Sequence, residues 1–154
     1  MIRLSDEIEA IDLYTQLENI RLNDKFDLNW HIDPKIDRHN TIVPPLTLQP
    51  FIENAIWHGF IHKKTRSTLD ISIFIEDKKL KATIKDNGIG RKKSMEIEGR
   101  KTGNKKSYGI AITSQRLDQN QGEERVRIRD LYDENNEALG TEVELSIDLI
   151  QTDK

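Results

Sequence analysis

The chain has 154 residues, a length typical of one domain that buries a hydrophobic core of its own. Its 33% charged residues and formal net charge of -3 indicate a globular protein in water and count against general nucleic-acid binding. The absence of cysteine excludes disulfides and thiolate metal sites. The sequence has no run of about 18 apolar residues and no signal-peptide pattern, so we expect no part of it to insert into a membrane.

The first predicted element is a helix that begins near Ser5, as its N-cap, and ends near residue 24. Asp6 and Glu7 fall in its first turn, where the helix dipole favours acidic side chains. Apolar residues at helical spacing predict that one stripe of this helix is buried, namely Ile8, Ile11, Leu17 and Ile20.

Residues 25–33 predict a strand and residues 39–50 a loop, because a Pro-Pro pair fits neither a helix interior nor a central strand. A helix over residues 48–60 comes next. The spacing of apolar residues then changes to two, which predicts a β-hairpin over residues 69–84 with one buried face.

The last third of the chain predicts a basic loop over residues 91–108, a helix over 109–119 and strands over 124–132 and 141–149. This order of elements predicts an α+β fold, in which helices cover one face of a mixed, mostly antiparallel sheet to form a two-layer α/β sandwich. We expect a single domain over residues 1–154.

The helix over residues 48–60 carries a polar pair, Glu53 and Asn54, inside LTLQPFIENAIWHG. Asn54 and His58 are four residues apart and therefore share a helix face, opposite an apolar stripe. This face is predicted to point away from the core, towards a loop or a ligand. A solvated Asn on an amphipathic helix is the simpler interpretation, and the helix alone leaves both open.

A second motif, IKDNGIG at residues 84–90, follows the predicted hairpin. Its Asp-Asn-Gly sequence is common in ordinary turns, but a basic stretch rather than another strand comes next. Gly88 and Gly90 would allow the backbone to turn sharply or to approach a flat ligand closely. Both a turn and a ligand site fit this pattern.

The third motif is the basic stretch, with seven basic residues against two acidic ones between Arg91 and Lys106. It leads into the predicted helix over 109–119, whose N-terminal N–H groups would favour a polyphosphate together with the lysines. The stretch lacks the spacing of a P-loop. A solvated charged loop is the alternative.

In this order, LQPFIENAIWHG, IKDNGIG and KKSYGIAITSQRL resemble the N box and the two glycine boxes of the GHKL ATPase superfamily. They are most similar to the catalytic ATP-binding domain of LytS-like sensor histidine kinases. A first helix like LSDEIEAIDLYTQLENIRLNDKF and a last strand like LGTEVELSIDL extend the resemblance over nearly the whole chain. It implies the Bergerat fold, with ATP held between the helices and a lid.

The resemblance also implies roles for individual residues. Asn54 would coordinate a Mg2+ that bridges the ATP phosphates, and Glu53 would assist catalysis through the water shell of the metal. Asp86 would accept a hydrogen bond from the adenine amino group, where guanine presents an acceptor, so we expect ATP to be preferred to GTP. Further nucleotide contacts are implied for His58, Gly88, Gly90, Lys105, Lys106, Ser107, Gly109 and Thr141.

Three positions depart from the family pattern. Pro50 stands where hydrolytic members often carry a general-base Glu, so we expect ATP to be kept for transfer rather than steadily hydrolysed. Trp57 replaces a common Lys and removes one phosphate contact, and Ala111 replaces a common Gly.

The chain contains no phosphoacceptor stretch of the kind NPHFLFN. The resemblance therefore implies a catalytic domain whose target His lies on a dimerisation helix of the same full-length kinase, with a response regulator downstream. We expect this fragment to be monomeric and cytoplasmic, as part of a membrane-anchored sensor. Two alternatives stay open: a nucleotide-binding interaction module, and a Ser/Thr kinase of the anti-sigma type or a GHKL ATPase.

Overall fold

The structure is a computed structural model that describes residues 1–101 and 125–149, without the side chains of residues 98–101. The described elements, in chain order, are β1 (Ile2–Arg3), α1 (Leu4–Arg21), β2 (Phe26–Ile32), β3 (Ile42–Val43), α2 (Gln49–Asn54), a π-helical segment (Ala55–Phe60), β4 (Ser67–Glu76), β5 (Lys79–Asp86), α3 (Arg91–Lys101), β6 (Val126–Tyr132) and β7 (Ala138–Asp148). The helix predicted over residues 109–119 lies outside the described residues.

Five strands form one sheet in the order β2-β4-β5-β7-β6. β2 pairs with β4 in parallel, and the other neighbours are antiparallel, as predicted. The β4–β5 hairpin closes through Asp77 and Lys78, whose φ angles of 51° and 60° suit a type I′ turn. This turn matches the twist of the strands and keeps their alternating residues in register.

The core lies between one face of this sheet and the helices. Alternate residues of the three central strands are buried there, namely Leu69, Ile71, Ile73, Leu80, Ala82, Ile84, Val143, Leu145 and Ile147. The helices contribute a second apolar layer from Leu4, Ile8, Ile11, Phe51, Ile52, Ala55, Ile56 and Phe60. Polar pairs such as Arg129 and Glu142 occupy the opposite face of the sheet. The predicted two-layer α+β sandwich is confirmed.

Helix α1 differs from its sequence prediction at its start and in the extent of its buried stripe. It begins at Leu4 after an extended Arg3 and has no side-chain cap, so Ser5 lies inside the first turn and is not the N-cap. The predicted stripe is buried only in part, since Ile8 and Ile11 belong to the core whereas Leu17 and Ile20 are 66% and 75% exposed.

The position of α1 beside the edge strand β2 explains this exposure. The side chain of Asn19 accepts from the Phe26 N–H at 3.1 Å and donates to the Phe26 carbonyl at 2.7 Å. Asp12 accepts from the Trp30 indole N–H at 2.8 Å. The C-terminal half of α1 thus contacts the sheet edge through polar groups, and its Leu13, Leu17 and Ile20 side chains face solvent.

Two stretches predicted as loops contain regular structure. β3 lies within residues 39–50 and pairs with β1 in a small antiparallel ladder. Residues 91–101 form α3 rather than a loop. The Lys, Arg, Met and Glu residues of this stretch have high helix propensity, which the prediction weighed less than their charge.

The predicted helix over residues 48–60 is confirmed, with a change of pitch in its middle. It is α-helical over Gln49–Asn54 and π-helical over Ala55–Phe60. Pro50 falls in the first turn, where its missing N–H breaks no helical hydrogen bond. No helix among the described residues is both long and apolar enough to cross a membrane.

Alanine substitution in the two halves of α1 should separate core from surface. Ile11 is fully buried, so Ile11→Ala should lower the free energy of unfolding by about 2–5 kcal/mol through lost burial and a cavity. Leu17→Ala, at a position 66% exposed on the same helix, should change it by less than about 0.5 kcal/mol. Urea denaturation measures both, and equal losses would contradict the position of α1.

Candidate functional site

Asp86 is a buried carboxylate at the end of β5, with 6% of its surface exposed. Its Oδ1 accepts a hydrogen bond from the Gly88 N–H at 3.0 Å. Burial raises the pKa of Asp86 to about 6, although the Gly88 and Thr141 backbone N–H groups and the Lys63 charge act in the opposite direction. The remaining oxygen lone pairs of this carboxylate can accept a hydrogen bond from a ligand.

The end of the helix over residues 49–60 lies directly against the loop that follows Asp86. A Cβ on Gly88 would lie 2.4 Å from the Gly59 Cα, and one on Gly59 would lie 3.3 Å from the Asp86 Oδ1. The Ile89 N–H donates to the Gly59 carbonyl at 3.1 Å. Gly88 is therefore required for backbone packing, whatever role it has towards a ligand.

Strand β7 closes the other side of Asp86. Thr141 is its cross-strand partner, and the preceding Gly140 has a φ of +129°. A Cβ on Gly140 would lie 2.0 Å from the Asp86 carbonyl oxygen, which no side chain can tolerate. This close contact places Thr141, a predicted site residue, beside Asp86.

Lys63 brings a cation to the same loop. Its Nζ donates to the Asn87 carbonyl at 2.5 Å. Burial lowers the pKa of Lys63, and the charge of Asp86 acts in the opposite direction. The Asn87 side chain is itself engaged, since its Oδ1 accepts from the Thr68 N–H at 2.7 Å. The loop is therefore held from both sides.

Glu53 and Asn54 are half-buried, whereas the apolar stripe of the same helix is buried. Glu53 accepts a hydrogen bond from the Gln49 side chain at 3.2 Å. Within residues 1–101 and 125–149, no hydrogen bond is made to the Asn54 amide, so its oxygen can serve a ligand. Asn54 precedes Gly59 by five residues, which corresponds to about one turn of the π-helical segment.

His58 contacts α3 rather than open solvent. Its Nδ1 is 3.3 Å from the Oγ of Ser94, which is buried on α3. The predicted nucleotide-binding histidine therefore also joins the helix over residues 49–60 to the helix that follows the glycine loop.

Trp57 lies against α1 and is 41% exposed. The Arg21 guanidinium stands 4.2 Å from the centroid of its ring, a cation–π contact. Burial raises the pKa of the neighbouring Tyr14 to about 12, although a hydrogen bond from Trp57 acts in the opposite direction. This tryptophan therefore packs between its own helix and α1.

The described residues contain no group of three or more His, Cys, Asp or Glu side chains that could hold a metal ion. A metal ion at Asn54 would therefore need ligand phosphates and water for most of its coordination. Mg2+ is commonly bound in this way, with few protein oxygens and retained water. The donor set at Asn54 and Glu53 fits such an ion.

A cavity of about 370 Å³ lies next to this loop, between the first turn of α3 and the β6–β7 hairpin. The bidentate ion pair of Arg91 with Asp130, at 2.7 and 2.8 Å, belongs to its wall. Among the predicted site residues that the structure describes, Gly90 alone lines it, and neither Asn54 nor Asp86 does. The cavity adjoins the cluster around Asp86, because Gly140, which packs on the Asp86 backbone, also belongs to its wall.

The structure thus brings Asp86, Gly88, Gly90 and Thr141 together at the glycine loop, with Glu53, Asn54 and His58 on the adjoining helix. The predicted residues Lys105, Lys106, Ser107 and Gly109 lie outside the described residues, as does Ala111. Sequence reasoning missed Gly59, Gly140 and Lys63 as site residues. The two glycines stand inside quoted motifs, which could have indicated them, but the position of Lys63 depends on the tertiary fold.

Sequence comparison shows partial matches to sensor kinases, and no protein-family model matches the chain. It is 33% identical over 89 residues to the sensor protein LytS of Staphylococcus haemolyticus, covering 58% of this chain and 15% of that protein. It is 31% identical over 116 residues to LytS of Oceanobacillus iheyensis, covering 73% of this chain and 20% of that protein. The chain therefore spans a fifth or less of the length of these relatives.

Solved structures of histidine kinases share the fold. The catalytic domain of the histidine kinase ThkA matches with a TM-score of 0.62 at 12% identity, over 96% of this chain and 94% of that chain. ThkA in complex with the response regulator protein TrrA matches with a TM-score of 0.58 at 14% identity, over 95% and 40% of the two chains. At these identities the likeness concerns the fold alone.

The described residues share the fold of histidine kinase catalytic domains, which confirms the predicted fold class. The partial sequence matches are to one group of sensor kinases, the LytS proteins. The chain resembles the catalytic ATP-binding domain of LytS-like sensor histidine kinases, as its three motifs predicted.

Replacing Asp86 by Asn should reveal the cost of its burial. The folded-state pKa of about 6 lies above the ordinary 3.8, so the stability that the protonated carboxyl contributes is lost as pH rises from about 4 to about 6. A shift of this size corresponds to about 3 kcal/mol at most. Relative to wild type, Asp86→Asn should become more stable by about 1–3 kcal/mol between pH 4 and pH 7. Urea denaturation at several pH values measures this, and a constant difference would contradict it.

Proposed function

We propose that this chain is the ATP- and Mg2+-binding catalytic domain of a two-component sensor histidine kinase. It would transfer the γ-phosphoryl group of ATP to a His on a dimerisation helix outside this chain. The observation that carries the proposal is the buried carboxylate of Asp86, enclosed by glycine contacts, next to a helix whose Asn54 amide makes no hydrogen bond within residues 1–101 and 125–149.

Asp86 supports recognition of the adenine base. One of its oxygens already accepts from the Gly88 N–H, and the carboxylate has further lone pairs for an exocyclic amino group. Because Asp86 is buried, such a charge-assisted bond would be shielded from water and would discriminate strongly against a base that presents an acceptor. Thr141, on the neighbouring strand, would support the same end of the nucleotide.

Asn54 and Glu53 support binding of the phosphates and the metal. Asn54 lies about one helical turn before Gly59, which packs against Asp86, so a nucleotide with its base at Asp86 would extend its phosphates along the helix towards Asn54. When bound, Mg2+ would supply positive charge against the charge of the transferred phosphoryl group. Asn54 would orient the metal through its amide oxygen, and Glu53 would hold water of the metal shell.

The catalytic contribution of the chain would be positioning rather than water activation. Pro50, one turn before Asn54, has no side chain that can take a proton from water. Holding the triphosphate in a fixed orientation favours transfer to an incoming imidazole over hydrolysis. His58 would contribute by joining this helix to α3 through Ser94.

Lys105, Lys106, Ser107 and Gly109 are proposed, on the sequence resemblance alone, to close a lid over the phosphates. The partners are proposed in the same way: a phosphoacceptor helix of the full-length kinase and a response regulator downstream. The fold shared with ThkA, whose structure includes a complex with the response regulator protein TrrA, supports the latter.

Variants at the two ends of the site test nucleotide binding. Asn54→Ala removes the proposed metal ligand. Asp86→Asn leaves a single carbonyl oxygen, which can accept from the Gly88 N–H, and places an amide NH2 group where the adenine amino group needs an acceptor. Each should weaken binding of Mg·ATP by at least about tenfold, the effect of losing roughly 1.4 kcal/mol. Isothermal titration calorimetry measures the dissociation constants.

Asn29→Ala, an exposed Asn paired with Asp70 on the sheet edge, is the matched control and should bind like wild type. Wild type should bind GTP far more weakly than ATP. Its affinity for ATP should also fall as pH drops below about 6, because Asp86 then becomes protonated and loses acceptor capacity. Unchanged affinity in both site variants would contradict the site assignment.

Phosphoryl transfer is tested by adding a separate His-bearing helix from a LytS-like kinase together with γ-labelled ATP. We expect label on that helix that is labile to acid and stable to alkali, as for phosphohistidine. A His→Ala helix is the control. If ATP binds but no label is transferred, the result favours a nucleotide-binding interaction module. A label that is stable to acid favours a Ser/Thr kinase. Rapid phosphate release without the helix would favour an ATPase.

A further inference from the structure

Glu7 is a buried acidic residue outside the proposed site, with 3% of its surface exposed. It lies in the first turns of α1 among core residues, yet its Oε1 accepts a hydrogen bond from the Leu48 N–H at 2.7 Å. The two residues are far apart in the chain, so this bond ties α1 to the segment that begins the helix over residues 49–60.

The segment before this helix is shaped around the carboxylate. Leu46 has a φ of +57°, an unfavourable conformation for a side chain with a Cβ. The backbone N–H groups of Leu46, Thr47 and Gln49 favour the ionised carboxylate, in addition to that of Leu48. Burial acts more strongly in the opposite direction and raises the pKa of Glu7.

Glu7 caps this helix as the Glu of a capping box does, by accepting from the N–H of the N-cap residue Leu48. The first N–H groups of a helix have no partner within the helix, and a side chain just before it normally accepts from them. Leu48 is the residue at this position and offers no such side chain. The capping oxygen therefore comes from another helix, which couples the start of the helix over residues 49–60 to α1.

Hydrophobic packing does not account for an acid at this position. An apolar side chain would fill the same space without the cost of desolvating a carboxyl group. The second oxygen of Glu7, Oε2, has no hydrogen-bond partner among the described residues, so the desolvation is incompletely offset. The specific contribution of Glu7 is its bond to the Leu48 N–H.

We propose that Glu7 is a positioning residue for the nucleotide site, fixing the start of the helix over residues 49–60 and, through it, the position of Asn54. Asn54 lies six residues after Leu48, within the same helix. A shift at the start of so short a helix moves Asn54 relative to Asp86, which is held separately by the sheet. This inference rests on the proposed function.

Variants that separate reach from charge test the proposal. Glu7→Asp keeps the charge but is one methylene too short for the Leu48 N–H, whereas Glu7→Gln keeps the reach and one acceptor oxygen. Glu7→Ala removes both. Glu9→Ala, at an exposed acid on the same helix, is the matched control. Circular dichroism establishes that each variant is folded, and calorimetry gives its dissociation constant for Mg·ATP.

We expect the dissociation constant to be about tenfold higher for Glu7→Ala and about fivefold higher for Glu7→Asp, because both lose the hydrogen bond from the Leu48 N–H. For Glu7→Gln, which keeps this bond, the increase should be less than about threefold. Glu9→Ala should match wild type. Faster hydrogen exchange of the Leu48 amide in Glu7→Asp than in Glu7→Gln should accompany this order.

If Glu7→Ala does not fold, the comparison of Asp with Gln decides. Folded Asp and Gln variants that both bind within twofold of wild type would overturn the positioning role, since a merely stabilising role predicts lower unfolding free energy with unchanged affinity. Wild type that does not bind Mg·ATP would instead overturn the proposed function and this inference together.

Discussion

The contact between two glycines, Gly59 at the end of a helix and Gly88 in the loop after β5, holds the site together. A single Cβ on Gly88 would come within 2.4 Å of the Gly59 Cα, so any other residue there would push the helix away from the sheet. With both Cβ atoms absent, the helix end closes over Asp86 and Gly140 closes the other side. The buried acceptor and the face that carries Asn54 are consequences of this one close approach.

Two buried carboxylates, Asp86 and Glu7, carry a desolvation cost in this fold. Burial raises the pKa of each, so the ionised form of each is disfavoured in the folded protein. Both are hydrogen-bonded to backbone N–H groups at the segments that bring the helix over residues 49–60 and the glycine loop together. Such a cost is typical of sites where binding needs a preorganised polar group.

Periodicity predicted the central elements well. The β4–β5 hairpin, strands β6 and β7, and the helix over residues 48–60 were all predictable because each buries one face against the same core, and burial on one face imposes a regular spacing. The same reasoning failed for Leu17 and Ile20, whose spacing matches that of Ile8 and Ile11 although they face solvent. The prediction of a loop over residues 91–101 was also wrong, because it followed from the many charged residues there, and these residues have high helix propensity.

The sequence by itself determined the order of the five main strands and the first two helices, the apolar face of the central strands, and the three motifs whose resemblance indicates a LytS-like kinase domain. These depend on local spacing and residue type, which a linear pattern contains. Only the tertiary structure decided that Gly88 packs on Gly59, that Lys63 stands beside Asp86, that His58 contacts Ser94, and that Glu7 caps a helix 41 residues away. Each of these depends on the distance between elements remote in the chain, and that distance is set by how the helices pack on the sheet.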